Sequence, residues 1–280
     1  MNTVKRKSKL SIAIPSSVVS EYNNLREKTE VLGQIARSVA IFRAEEVVIY
    51  PDQQDESTLI KLILGYVETP QYLRKHLYRV RPELQYAGAI SPLRTPHHQL
   101  ESSVNDLKVG EFREGVLFDF EGVNVVDIGV EKNIKLVGRA PSTGSRVTVR
   151  VIQKNPELCE LAKKRDIPYY WGFEIQASKK TLGEIALARY YDLMISTSRL
   201  GDSIKVKQDE LKARWEDSKS ILVVFGSPRF GVAEILSRER HTVPELFDFN
   251  VNTIPNQGCE TVRVEEALHA TLTILNLLDP

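Results

Sequence analysis

Five short, almost unbroken apolar runs constrain what this chain can fold into more than any other feature. They are LSIAIP (Leu10 to Pro15), EVVIY (Glu46 to Tyr50), YDLMIS (Tyr191 to Ser196), ILVVFG (Ile221 to Gly226) and NVNTIP (Asn250 to Pro255). Runs this continuous, rich in β-branched residues, suit parallel strands covered on both faces. Helical patterns lie between them, at Ser17 to Arg43, Ser57 to Glu68, Pro70 to Tyr78, Thr181 to Ala188, Val232 to Leu236 and Val264 to Leu278. In the last, Ala267, Leu268, Leu272, Leu275 and Leu278 hold one helical stripe. The alternation predicts an α/β layer fold.

From about Gly88 to Lys154 the helical period disappears. GEFREGVLFDFEG, VNVVDIGV, KNIKLVG and SRVTVRVI read as four or five short strands divided by glycine-bearing turns. Five short strands in such a stretch fit a small barrel of OB-fold type. Apolar strands stand on both sides of it, so the barrel is expected as an insert at 91–155, interrupting an α/β domain made of 1–90 and 156–280. The prolines of SPLRTPHH and QKNPEL mark the expected joints.

Composition narrows the function classes. With 38 basic and 37 acidic side chains the net charge is +1, so a polyanion binder working by bulk charge is excluded and any nucleic-acid surface must be local. Cys159 and Cys259 are too few for a disulfide scaffold or a four-ligand zinc site, and no metal is expected. No apolar run reaches the length of a membrane span, and the basic opening MNTVKRKSK lacks the apolar core of a signal peptide. A cytoplasmic protein is expected.

Three polar, glycine-bearing loops follow three of the strands. FGSPRFG (Phe225 to Gly231) joins a strand to the helix VAEIL, a geometry that brings main-chain amides to a ligand at a helix start. It is neither a Walker loop nor GxGxxG. ISTSRLGD (Ile195 to Asp202) and NTIPNQGCETVRVEEAL (Asn252 to Leu268) are the other two. Each alone is an ordinary turn or capped loop. Together they would gather at the carboxyl edge of one sheet, where α/β proteins bind ligands.

These loops, with LGYVETPQYLRKHLY (Leu64 to Tyr78) and SPLRTPHH (Ser91 to His98), resemble the SPOUT superfamily of S-adenosylmethionine-dependent RNA methyltransferases. The closer resemblance is to the archaeal and eukaryotic branch that acts on RNA uridine N3. The five stretches occur in order over most of the chain, with a barrel where that branch carries an OB-like domain. The resemblance implies a trefoil-knotted parallel sheet with helices on both faces, an exception to the rule that chains do not thread. It also implies a homodimer, an RNA substrate (ribosomal RNA first) and S-adenosyl-L-methionine as cofactor. Carried over to this sequence, Thr197, Ser198 and Gly201 supply the first cofactor loop, and Gly226 and Pro228 the second. Ile254, Pro255, Gln257, Gly258, Thr261 and Val262 supply the knot loop.

Methyl transfer from a sulfonium is an in-line displacement, so the protein chiefly positions the reactants. Uracil N3 carries a proton, so a base or a cation stabilising the deprotonated ring is needed. Arg229 and Arg199 lie in the expected cofactor loops and either stabilise an anionic uracil or bind phosphate. Asn252 either reads a base edge or forms a turn. For RNA the candidate surface is PQYLRKHLYRVRPELQY, where Arg74, Lys75, Arg79 and Arg81 alternate with tyrosines. A solvated helix face has the same composition. His97 and His98 either contact RNA or make structural hydrogen bonds. The alternatives to uridine N3 are another RNA atom, such as pseudouridine N1 or a ribose hydroxyl, and an RNA assembly factor that binds the cofactor without required catalysis.

Overall fold

The computed structural model describes residues 4–279, so the first part of the basic opening lies outside the described residues. It divides into two compact units. Among the described residues, one comprises 4–5, Tyr66–Gln85 and Pro92–Gly172; the other comprises Arg6–Gly65, Tyr86–Ser91 and 173–279.

The second unit is a sheet of six parallel strands: β1 (Lys9–Pro15), β2 (Glu46–Tyr50), β8 (Glu174–Ala177), β9 (Leu193–Ser203), β10 (Ser220–Val224) and β11 (Phe249–Asn252). Their order is β11-β9-β10-β1-β2-β8, with every ladder parallel. Strand residues alternate between faces, and both rows are buried. Ala13, Val48, Met194, Leu222 and Val224 form a core with α4 (Leu182–Leu187), α6 (Val232–Arg238) and α7 (Val243–Leu246). Ile12, Ile14, Val47, Ile195 and Val223 form the other, equally inaccessible row. On that side α1 (Leu25–Ile41), α5 (Ile204–Glu216) and α8 (Val264–Leu278) supply the cover, α8 packing on the other two. The expected α/β layering with helices on both faces is present.

The first unit holds the closed barrel β3-β4-β5-β7-β6, formed by Phe112–Phe120, Val123–Asp127, Ile134–Val137, Arg146–Lys154 and Glu157–Leu161, the last two being β6 and β7. The β5–β7 ladder is parallel and the others antiparallel. Leu117, Val126, Ile134, Leu136, Val149 and Cys159 fill it. Its closing strand lies past residue 155, because Pro156 forms the β6–β7 hairpin turn instead of a joint between domains. The last turn of α2 (Ser57–Glu68) and all of α3 (Gln71–Leu77) belong to this unit, Tyr72 donating from its hydroxyl to the Glu114 carbonyl at 2.9 Å. No helix among the described residues is long and apolar enough to cross a membrane.

Several elements depart from expectation. The helix expected from Ser17 starts at Leu25, where the Asn24 side chain accepts from the Glu27 amide at 2.9 Å and caps it. Strand β8 and helices α5 and α7 are not among the elements expected from the sequence.

Candidate active site

The carboxyl ends of β9, β10 and β11 meet around a cavity of about 400 Å³, a size suited to a nucleoside-sized ligand. The first wall is made by an interruption in pairing. Ser196 pairs with Asn250 and Asp202 with the next residue, Val251, so residues 197–201 have no partners on β11 and bow outward. Gly201 permits the return to the ladder, since a Cβ there would lie 2.7 Å from the Asn250 carbonyl oxygen. The segment read as a loop is therefore an excursion within one long strand.

The second wall is the β10–α6 turn. A Cβ on Gly226 would stand 2.7 Å from the Phe230 carbonyl oxygen and 3.1 Å from the Val232 nitrogen, so only glycine fits without moving main chain. Ser227 closes the turn: its amide donates to the Phe230 carbonyl at 2.8 Å, and its hydroxyl accepts from the Phe230 amide at 3.0 Å. The Gly231 amide at the start of α6 donates to Glu234 at 2.7 Å.

The third wall is the segment between β11 and α8. Gln257, Glu260, Thr261 and Val262 line the cavity. Among the described residues, no partner accepts from the main-chain N–H groups of residues 256 to 262. Most of these residues are exposed, so amides that face solvent beside the cavity are available as donors to a polar ligand.

Two side chains join the first wall to the third. The Asn252 amide nitrogen donates to the Arg199 carbonyl at 2.8 Å, while its oxygen accepts from the Ile254 amide at 3.0 Å. Arg199 in turn donates from Nη1 to the Glu260 carbonyl at 2.8 Å. Both residues border the cavity; both ends of the Asn252 amide are taken up by main chain, whereas the exposed Arg199 guanidinium turns only Nη1 to main chain. Arg229 differs. It is exposed at the rim, with a 3.5 Å contact to Glu21.

Of the expected cofactor residues, Thr197, Ser198, Gly226, Pro228, Ile254, Gln257, Thr261 and Val262 line this one cavity. Gly201, Pro255 and Gly258 lie in the same segments but not on its surface. Sequence reasoning missed Leu200, Phe230 and Thr253 on the wall, and Glu21 beside Arg229. The first three stood inside the motifs already singled out; Glu21 carried no signal.

The residues expected to meet RNA fall in the other unit and separate into two groups. Lys75, Arg79 and Arg81 are exposed. Arg74 is tied down by bonds to the Thr69 and Val67 carbonyls and by the Tyr66 ring 4.5 Å away. His97 is inaccessible and His98 nearly so. Both Nε2 atoms donate to the Glu68 carbonyl, at 2.9 and 2.7 Å, which closes the end of α2. Burial pushes the His98 imidazole down to about 3, so it is neutral there. His97 and His98 are packing residues, correcting their assignment to RNA contact, while Arg74 is half-buried. Among the described residues no group of three His, Cys, Asp or Glu is placed to hold a metal.

Comparison with known proteins agrees with the geometry. A family model described as "Putative RNA methyltransferase" matches residues 9–275. An uncharacterized protein of Haloarcula marismortui is 34% identical over 288 residues, covering 96% of this chain and 99% of its own. The 28S rRNA (uridine-N(3))-methyltransferase of Drosophila melanogaster is 31% identical, over 96% of this chain and 62% of that enzyme. The Homo sapiens enzyme of the same name is 31% identical, over 95% of this chain and 77% of its own. The chain belongs to this family of RNA methyltransferases.

Proposed function

We propose that this methyltransferase uses S-adenosylmethionine to methylate N3 of a uridine in ribosomal RNA, on a SPOUT-type knotted α/β unit that works as a homodimer. The observation carrying the reading is the cavity at the carboxyl sheet edge, where three loops combine apolar walls with main-chain amides that face solvent. Its size and donor set fit a nucleoside-bearing cofactor. Thr197, Gly226, Ile254, Gln257, Thr261 and Val262 would hold it, and the bound cofactor supplies an electrophilic methyl group. The similar enzymes named for uridine N3 support the choice of base and atom.

The chain's own contribution is positional and electrostatic. Asn252 and Arg199 fix the two loops against each other. Uracil N3 is a poor nucleophile until its proton leaves, and a cation at the rim lowers the cost of the anion. Arg229 is the guanidinium placed for this, because its head is exposed beside the cavity. Arg199, also exposed at the cavity, turns Nη1 to the Glu260 carbonyl and keeps its charge, so it is the second guanidinium to test for this role.

Mass spectrometry of ribosomal RNA nucleosides from a deletion strain tests the function. Loss of one 3-methyluridine, restored by the wild-type gene but not by Arg229→Ala, is expected. Loss of a different methylated nucleoside would reassign the atom. Unchanged modification with defective subunit assembly would make the protein an assembly factor.

A further inference from the structure

Uracil presents its N3–H as a donor flanked by two acceptors, O2 and O4. A site that ionises it needs a cation for the oxygens and an acceptor for the proton. Arg229 supplies a cation at the cavity rim, and the group against it is a carboxylate, Glu21, 3.5 Å away.

The fold brings Glu21 to this place. β1 lies beside β10 in the sheet, residues 9–13 running against 220–224, so the segment after β1 emerges next to the β10–α6 turn that carries Arg229. Instead of entering a helix, this segment makes three successive turns. The amides of Val18, Ser20 and Tyr22 donate to the carbonyls of Pro15, Ser17 and Val19 at 3.1, 2.9 and 3.2 Å. It is tied down on both sides of Glu21. Val18 and Val19 are buried, the Ser17 hydroxyl donates to Asp52, and the Tyr22 hydroxyl donates to Glu265 on α8 at 2.9 Å. Arg263, at the start of α8, stands 5.8 Å from the centre of the Tyr22 ring. Main chain held in this way positions a side chain for chemistry.

The Glu21 carboxylate itself is uncommitted. Among the described residues it accepts no hydrogen bond, and its ionic contact is with Nε of Arg229 alone, which leaves both Nη atoms of the guanidinium open. Glu21 is 48% exposed and Arg229 66%, so the pair is weakly held and a base can reach both groups. The carboxylates on the cavity wall are placed differently: Glu234 holds the Gly231 amide at 2.7 Å, and Glu260 turns its carbonyl to Arg199.

We propose that Glu21 is a catalytic residue of the methyl transfer, the general base that takes the N3 proton of the target uridine. As the proton passes to the carboxylate, the electron pair of the N3–H bond forms the new bond to the methyl carbon. The methyl–sulfur bond of the sulfonium donor breaks, its pair stays on sulfur, and the exposed Glu21 carboxyl returns its proton to water. This rests on the function proposed above and gives its reaction the proton acceptor that a guanidinium cannot supply.

Single-turnover formation of 3-methyluridine, followed by mass spectrometry, tests it in ribosomal RNA from a deletion strain incubated with the full chain and S-adenosylmethionine. Glu21→Gln should slow the step about a hundredfold at pH 7. Its rate should climb about tenfold per pH unit towards about pH 9, as hydroxide replaces the carboxylate, and the deficit should close with it. Donor affinity by calorimetry and the circular dichroism melt should match wild type, which shows that the fold is intact. If Glu21 merely neutralised Arg229, removing its charge would free the guanidinium and the rate would hold or rise. A rate within about threefold of wild type therefore overturns the proposal, and so does a deficit that stays constant with pH. If wild type forms no 3-methyluridine, the proposed function falls and takes this inference with it. If wild type forms it and Glu21→Gln keeps pace, only this inference falls.

Discussion

Asn252 commits both ends of its amide to main chain, holding the Arg199 carbonyl with its nitrogen and the Ile254 amide with its oxygen. That gives it a measurable role different from chemistry. Each bond contributes about 1 kcal/mol to holding the loops in place. Asn252→Ala should therefore raise KM for the methyl donor about tenfold and change kcat less than about threefold. Steady-state kinetics with the donor varied at saturating RNA checks this, and an equal loss confined to kcat would contradict a positioning role. Sequence could name Asn252 and Arg199 but not their task, because an amide and a guanidinium offer the same donors to a base, a phosphate or a carbonyl. What decided it was the proximity of residues 53 and 61 positions apart.

At the scale of elements, the end of α2 shows how burial and charge combine. Burial by itself would raise the Glu68 carboxyl, but the charge of Arg146, helped by His97 and the bonds from both, outweighs it and holds the group at about 2. Arg146 also reaches Glu114 at 2.6 Å, and Glu114 takes the Trp171 indole N–H at 2.6 Å, so α2 and the barrel share one buried network. A carboxyl depressed on folding contributes stability that is complete above about 4.5 and lost as pH falls towards about 2. Burial acts first on His98, taking it from 6.5 to about 3, so the folded state resists protonation and its share is lost as pH falls through that interval. The melting temperature should fall in two stages below about pH 6.5. His98→Gln, which keeps a donor for the Glu68 carbonyl, should flatten the upper stage, and Glu68→Gln the lower one while destabilising the protein at neutral pH. Circular dichroism melts from pH 7 to pH 3 measure both.

The elements themselves were legible in proportion to their burial. β1, β2 and β10 read clearly because both faces are covered, leaving apolar residues at nearly every position. β8 was silent because it is an edge strand, EIQA, with no fully buried residue. α5 was missed for a related reason: only Ile204, Leu211 and Trp215 turn inward, a stripe too sparse to stand out among its charges.

For the whole molecule, two architectures were foreseeable because they use different periods, continuous apolar strands in one unit and glycine-punctuated alternation in the other. The joint between them was misplaced at Pro156, since a proline in a hairpin turn looks the same as one in a linker. The three cavity loops were legible because a parallel sheet sends its strand ends to one edge. The bow at 197–201 was not, since it depends on which β11 residues are paired. The net charge of +1 acquires a quantitative meaning at this scale. With no excess of positive charge, RNA affinity must come from a few local cations plus stacking. Three such cations would neutralise three phosphates, giving a log–log salt slope near ~2 at ~0.7 each. Raising salt from about 50 to about 200 mM should then weaken oligouridine binding roughly twentyfold, whereas ~6–10 phosphate contacts at the same ~0.7 each would weaken it by roughly three-hundredfold or more. Anisotropy titrations at the two concentrations separate these outcomes. The shallow dependence would mean that shape and stacking select the strand, while the steep one would spread the RNA over a far wider basic surface than a few local cations supply.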